Sequence, residues 1–354
     1  MAINKETVKN NRIVRHLYYF TRDLFHKTAQ LKKAEYALEK LRVEFPSDNE
    51  KQACLKDMVR MNQLYGYDYS EYIYYHFPEK SLAERRAFVA DWEHLGYTCA
   101  MNNYANARIF DNKWKTYQTF GAFYGRDVQY CEGGPGEAVF ENFINEHEVL
   151  ILKPLDSSCG HGVRIIRREE VINNKQIYQD LLNETKGRFI VEELIHQSKE
   201  MGKFHPASVN TVRVPTIRTD KEVHIIHPFF RIGQHGNLVD NGGAGGIICS
   251  LDAETGEVLA AADENGNRFE NHPDTGEKII GFIIPEWEQA RIFVSRLAEI
   301  VPDNHYTGWD IALTEKGWVL VEANRRGQFI WQIPSQEGFR NEINRYLKQL
   351  KVRY

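Results

Sequence analysis

A chain of 354 residues that is 42% hydrophobic and 27% charged carries enough apolar material for a sizeable core shared among two or three structural units. Its formal net charge of −4 provides no basic field to attract nucleic acid, and no apolar run approaches the roughly 20 residues that a membrane-crossing helix needs. The first residues are charged without an apolar stretch, so no secretory leader is expected. The five cysteines (Cys54, Cys99, Cys131, Cys159, Cys249) are odd in number and scattered, with no metal-ligand spacing, which suits reduced thiols in a cytoplasm.

In chain order, residues 1–107 read as a mostly helical N-terminal region. Leu17, Leu24, Leu31 and Leu38 recur every seven residues with Phe20, Ala34 and Leu41 between them, which is one apolar stripe on a helix. The first forty residues carry an excess of Lys and Arg (Lys5, Lys9, Arg12, Arg15, Arg22, Lys27, Lys32, Lys33, Lys40). A solvated face on a helix packed against the body is the favoured reading; the sharper one is a basic amphipathic helix in peripheral contact with an anionic membrane. Phe45-Pro46-Ser47-Asp48 breaks the pattern and offers Ser47 or Asp48 as the next N-cap. A helix is expected over residues 81–95, opened by Ser81 with Glu84 completing a capping box.

From about residue 108 the texture becomes α+β. Strands are expected at 149–152, 163–166, 188–192, 211–217, 223–230, 247–251, 308–313 and 318–322, separated by turn signals such as Gly133-Gly134-Pro135-Gly136 and Asn241 to Gly246. Helices near 286–300 and 336–350 complete the pattern. The last two-thirds divide into residues 108–190 and 191–354.

Several short segments carry chemistry. Asn112-Lys113 precedes the strands. Lys153 leaves a strand and enters a loop of small residues, Ser157-Ser158-Cys159-Gly160-His161-Gly162, that runs into a second strand. Small residues let backbone N–H groups approach phosphate oxygens, and the lysine adds a point charge; an ordinary glycine-containing hairpin accounts for the same residues equally well. No Gly-Lys-Ser/Thr precedes a helix, so this is not a Walker loop. Glu192-Glu193-Leu194 ends a strand; its carboxylates are either solvated or set beside an adenine edge. Arg213 and Arg231 interrupt apolar strands, where a cation needs an anion: a nearby carboxylate, or a carboxylate or phosphoryl group of a substrate. The thirteen histidines show no zinc spacing.

The C-terminal hairpin is the sharpest piece. Glu322 and Asn324 are two apart, so their oxygens project from one face of a strand. A three-residue turn, Glu315-Lys316-Gly317 with Gly317 in the left-handed region, sets Thr314 against Trp318 and Asp310 opposite Glu322; a two-residue turn puts them on opposite faces. In the first register Asp310, Glu322 and Asn324 form a cluster of hard oxygen ligands suited to Mg²⁺ that also binds nucleotide phosphates. The plain alternative is the solvated side of an edge hairpin.

Together these residues resemble the ATP-grasp superfamily over about residues 108–335, and His205 to Arg213 with Gly308-Trp309-Asp310 resemble its sugar-transfer-associated branch. The resemblance implies an ATP-grasp fold in which two α+β subdomains grip ATP, the first (108–190) bearing the glycine-rich lid and the second (191–354) the metal-binding hairpin. It assigns nucleotide binding to Lys113, Lys153, Ser157, Ser158, Gly160, Gly162, Glu192, Glu193 and Leu194, metal binding to Asp310, Glu322 and Asn324, and catalysis to Lys153, Arg213 and Arg231. ATP and Mg²⁺ are the implied cofactors. The implied activity is ligation of a carboxylate to an amine or a thiol; the preferred form joins a carboxylate to an amine through an acyl phosphate, the partners being an amino acid and a sugar-linked or cell-surface polysaccharide precursor. A small-molecule or sugar kinase and an ATP-regulated scaffold are the rival readings. Two features depart from the superfamily pattern: residues 1–107 read as helical where a small α/β domain is usual, and Arg325-Arg326-Gly327-Gln328 follows Asn324 where Pro-Gly is usual, which suggests a more anionic or larger acceptor. The ribose-binding residue falls among Gln197, Lys199 and Glu200.

Overall fold

A computed structural model describes residue 14 and residues 27–157, 161–236, 245–327 and 329–352. Leu17, Phe20 and Leu24, the basic residues from Lys5 to Arg22, Ser158, Cys159 and Gly160, Gln328 and the segment 241–244 lie outside the described residues. The chain divides into two compact units: Met1–Met101 with Ala262–Arg268 and Gln328–Tyr354, and Asn102–Ala261 with Phe269–Gly327. The segment after the hairpin therefore groups by its contacts with the N-terminal helices.

The first unit is helical where described. The stripe holds from Leu31 onward: on the helix Lys27–Lys40, Ala34, Ala37 and Leu38 are buried, while Lys32, Lys33 and Lys40 are exposed. Ser47 caps the helix Asp48–Tyr65 by accepting from the Glu50 N–H, and Gly66 ends it at φ 76°. Ser81 and Glu84 form the expected capping box, but the helix stops at Arg85 and a new one runs Asp91–Met101. The interruption has a cause. The Tyr67 hydroxyl donates to the carbonyls of Arg85 (2.7 Å) and Phe88 (2.8 Å), and the Val89 N–H donates to Gln332 Oε1 (2.9 Å). Backbone groups that a continuous helix would pair internally are taken by buried side chains. The helix expected near 336–350 is present as Arg340–Gln349, and a short helix, Gln332–Ser335, precedes it.

The second unit contains two sheets. The smaller has the order β1-β4-β2-β3, from β1 (Val128–Glu132), β2 (Val149–Pro154), β3 (Arg164–Arg167) and β4 (Arg188–Glu193). One face is buried under the helices Pro135–Glu146 and Ile177–Glu184, through Phe140, Phe143, Leu152, Leu181 and Phe189. The larger sheet has the order β11-β10-β5-β7-β8-β9, with β6 also paired to β5. Its strands are β5 (Thr211–Arg218), β6 (Val223–Ile225), β7 (Phe229–Ile232), β8 (Ile247–Leu251), β9 (Val258–Ala262), β10 (Tyr306–Thr314) and β11 (Gly317–Asn324). The helix Trp287–Ile300 shares its core through Val294 and Leu297, beside Val212, Trp309 and Leu320. The strand expected over 223–230 is two strands, because His227 takes a left-handed φ of 42° immediately before Pro228.

The hairpin reaches the expected pairing by another route. Thr314 pairs with Gly317 across a two-residue turn, which alone would place Asp310 opposite Val321. A β-bulge between Leu320 and Glu322 inserts Val321 and restores Asp310 opposite Glu322.

Candidate functional site

One cavity in the second unit gathers residues from both sheets. Lys113 is the first residue of the helix Lys113–Phe120; the Asn112 side chain caps that helix and the Lys113 N–H donates to the Leu155 carbonyl (3.2 Å) at the end of β2. The helix start is thus tied to the strand that carries Lys153. The Lys113 ammonium donates to the Ser157 carbonyl and stands 3.8 Å from Glu322 Oε1. Burial lowers its pKa below the ordinary lysine value; the Glu322 charge opposes this and Lys153 adds to it. Both lysines line the cavity together with Ser157, Glu193, Leu194 and Glu322. Apolar walls come from Ile151, Val163, Ile165 and Val321, a mixture that suits a flat ring at one end and anionic groups at the other.

Glu192 is not at a solvated rim. It is 3% exposed and accepts from Lys153 Nζ (2.8 Å) and from Arg126 Nε (3.0 Å) and Nη2 (2.7 Å). Burial alone would push its carboxyl up, but Arg126 and Lys153 hold it below the usual carboxylate range. Strand alternation turns Glu192 inward and leaves Glu193 half-buried, its N–H donating to the Asp127 carbonyl (3.0 Å). All three residues of the expected adenine hinge line the cavity, Glu192 and Glu193 at the end of β4 and Leu194 just beyond it, and Glu192 is in addition the counter-ion of Lys153.

Asp310 has a similar setting on the other sheet. It is 2% exposed and accepts from Arg213 through Nε and through Nη2 (2.7 Å), with Arg231 Nη2 3.1 Å away. Burial again opposes ionisation, and the two guanidinium groups hold the carboxyl below its usual range. The anion that these arginines need is therefore present in the fold. Arg231, which also donates to Thr211 Oγ1 (3.0 and 2.6 Å), lines the cavity alongside Asp310; Arg213 is buried without lining it. Asn324 Nδ2 donates to Asp310 Oδ2 (3.3 Å).

These positions bear directly on a cation. Glu322, with its side chain 40% exposed, lines the cavity and fits a hard ion; Asn324, two residues further along β11, carries a side-chain amide oxygen of the same hard type but is not part of the lining. Asp310 lines the same cavity while engaged by both arginines. Among the described residues no three His, Cys, Asp or Glu side chains come together as a metal site.

The remaining candidates are placed as follows. Gly162 takes φ 74°, and a Cβ there would lie 2.8 Å from Pro154 Cγ, so both backbone conformation and space favour glycine at this position. Gln197 is structural: its amide bonds the carbonyls of His205 (3.3 Å) and Ser208 (2.7 Å) and the Asn210 N–H (2.9 Å), shaping the 205–210 loop. Lys199 and Glu200 are on a short helix and do not line the cavity. Arg325 is paired with Asp111 (2.6 Å). Sequence reasoning missed Arg126, Thr211 and Ser208; the last two lay inside the recognised 205–213 segment, while Arg126 gave no local signal.

The family described as sugar-transfer associated ATP-grasp matches residues 94–348, most of the chain. The chain belongs to this family. Its α+β ATP-grasp fold follows a helical N-terminal region, and the match begins earlier and ends later than the motifs alone indicated. No curated protein matches the chain. Among solved structures it is similar to D-alanyl-alanine synthetase A from Vibrio cholerae (10% identity, 70% of this chain, 67% of that chain, TM-score 0.46). It is also similar to the ATP-grasp ligase PsnB complexed with minimal precursor (13%, 70%, 63%, 0.44) and to an ADP complex of purK, N5-carboxyaminoimidazole ribonucleotide synthetase (11%, 62%, 46%, 0.40). The chain spans between about half and two thirds of these structures' lengths, and likenesses this distant carry no conclusion about activity. Among the described residues no helix is long and apolar enough to cross a membrane.

Proposed function

We propose that this ATP-grasp protein is a cytoplasmic ATP-dependent carboxylate–amine ligase that joins an amino acid to a sugar-linked or cell-surface polysaccharide precursor. One observation carries the reading: Lys113 and Lys153, forty residues apart, converge on one cavity that also presents Glu322 and the Arg231–Asp310 pair. Counting Arg126 and Arg213 behind the wall, five cations (Lys113, Lys153, Arg126, Arg213, Arg231) stand against four carboxylates (Glu192, Glu193, Asp310, Glu322) around that cavity, an excess of one positive charge that favours an anion.

In this reading a substrate carboxylate oxygen attacks the γ-phosphorus of ATP, and the bond to the bridging oxygen breaks to release ADP. The amine nitrogen then attacks the acyl-phosphate carbonyl; the carbon–oxygen bond to phosphate breaks and the nitrogen gives up a proton. Lys113 and Lys153 neutralise phosphate oxygens, and Glu193-Leu194 borders the base. Arg231, already on the cavity wall, holds the carboxylate, and Arg213 keeps Asp310 charged and fixed behind it. The protein's contribution is positioning and electrostatics. Mg²⁺ bound at Glu322 and Asn324 supplies further neutralisation of phosphate charge.

The test is phosphate release from ATP and Mg²⁺ with pooled amino acids, the products being read by mass spectrometry. Amino-acid-dependent release with a new amide supports the ligase. A phosphorylated product without an amide identifies a kinase, and ATP binding without turnover, also with polysaccharide precursors supplied, identifies a regulated scaffold; either overturns the proposal.

A further inference from the structure

Arg126 is buried and engaged on every side. Its Nε (3.0 Å) and Nη2 (2.7 Å) donate to Glu192 Oε2, and its Nη1 donates to the carbonyls of Tyr124 (3.0 Å) and Leu320 (2.7 Å). The guanidinium lies 4.6 Å from the centre of the Tyr124 ring. The Glu192 oxygen that it holds is the one that accepts from Lys153 Nζ (2.8 Å). Leu320 is the last residue before the bulged Val321 and is two residues from Glu322. One planar group therefore touches both the anchor of the cavity lysine and the backbone of the bulge that presents Glu322. Only an arginine fork reaches such a set of acceptors at once.

The charge count gives this contact a consequence. Lys153 with Glu192 alone is a neutral pair and offers phosphate little. With Arg126 spending its charge on Glu192, the trio is cationic, and the net charge is expressed at Lys153, the member of the two cations that lines the cavity.

We infer that Arg126 is a positioning residue for phosphate recognition: it neutralises Glu192 so that Lys153 presents a free positive charge, and it fixes that lysine relative to the hairpin carboxylate Glu322. The inference rests on the nucleotide reading of the cavity.

The test compares ADP and adenosine binding by calorimetry for the full chain, Arg126→Gln and the double variant Arg126→Gln/Glu192→Gln. Arg126→Gln weakens ADP by about tenfold or more, the scale of one charged hydrogen bond, and leaves adenosine within about twofold. The double variant, in which Lys153 no longer faces a carboxylate, recovers most of the lost ADP affinity. Should Arg126→Gln fail to fold, Arg126→Lys keeps the charge without the fork and shows a smaller loss that is still confined to ADP. Equal losses for ADP and adenosine, or no loss with either variant, would overturn the inference by making Arg126 a purely structural residue. An unaltered chain that binds neither ligand would overturn the nucleotide reading itself, a result distinct from any variant effect.

Discussion

The two sheets of the second unit solve the same problem with different chemistry. Each buries one carboxylate against two cations, one of which reaches the cavity while the other stays behind. On the smaller sheet Glu192 sits between Lys153 and Arg126; on the larger, Asp310 sits between Arg231 and Arg213. The cation facing the cavity differs. A lysine is a compact point charge on a flexible stem, suited to following phosphate oxygens, whereas an arginine is a rigid fork suited to a planar carboxylate. The carboxylates differ in company as well. Glu192 accepts from its two cations, while Asp310 also faces Glu322 across the hairpin and accepts from Asn324. Glu192 is thus a counter-ion, and Asp310 is a counter-ion that also stands at the expected cation site.

That contrast is broken most forcefully at Asp310. Asp310→Asn leaves two buried guanidinium groups without their anion, and loss of about 3–5 kcal/mol of stability is expected in urea unfolding, the usual cost of breaking a buried pair. An unchanged midpoint would show that the two arginines do not depend on this carboxylate. Glu322 tests the other side, because its half-open side chain supports little of the fold. Glu322→Ala is expected to lower turnover about 10²–10³-fold while stability stays within about 0.5 kcal/mol. Normal turnover in Glu322→Ala would remove the hairpin from the chemistry.

Titration separates the buried carboxylates of the two units. Asp310 and Glu192 are held below the usual carboxylate range, so the unfolded chain takes up their protons first. The stability they contribute is complete above about pH 4, the ordinary carboxylate value, and is lost as pH falls through their folded values. Glu71 in the helical unit behaves oppositely. Burial pushes its carboxyl up to about 8, although the Asp68 and Asp91 N–H groups donate to it. Its contribution is complete below the ordinary value and is lost as pH rises through about 8. Melting temperature measured against pH is expected to fall on both limbs, with Glu71→Gln flattening the alkaline one. An alkaline limb that Glu71→Gln leaves unaltered would assign that limb to other groups.

The parts of the molecule that were legible in the sequence are those whose signal is local. Lys153 stands at a strand end and Asp310, Glu322 and Asn324 on a hairpin that pattern alone identifies, Lys113 came from the family resemblance, and Ser47 and the Ser81–Glu84 box are read from four residues each. What was hidden depends on long-range pairing. Arg126 lies 66 residues from Glu192, and nothing within its own segment indicates that β1 will pair with β4. That strand was itself overlooked because Val128-Gln129-Tyr130-Cys131-Glu132 mixes polar and apolar residues without clean alternation, and β9 because Val258-Leu259-Ala260-Ala261-Ala262 is rich in a helix former. The break in the helix expected at 81–95 was equally invisible, since the Tyr67 hydroxyl and the Gln332 amide that hold the unwound backbone come from distant segments.

The hairpin is the instructive intermediate case, and it yields the smallest of the expected effects. A turn of three residues and a turn of two followed by a bulge give the same partner for Asp310, so the facing of Asp310 and Glu322 was readable while its cause was not. The two routes differ in what they ask of Gly317. It was expected inside the loop in the left-handed region; it is instead the first residue of β11, at φ 107°, and a Cβ there would have no neighbour within 4 Å. Gly317→Ala therefore meets no steric obstacle and is opposed by backbone conformation alone, for about 1–3 kcal/mol. Because the bulge, not the turn, sets the register beyond Leu320, the same substitution should leave nucleotide turnover near that of the unaltered chain at temperatures where it is folded. Loss of turnover in a folded Gly317→Ala protein would show that the turn, after all, governs where Glu322 points.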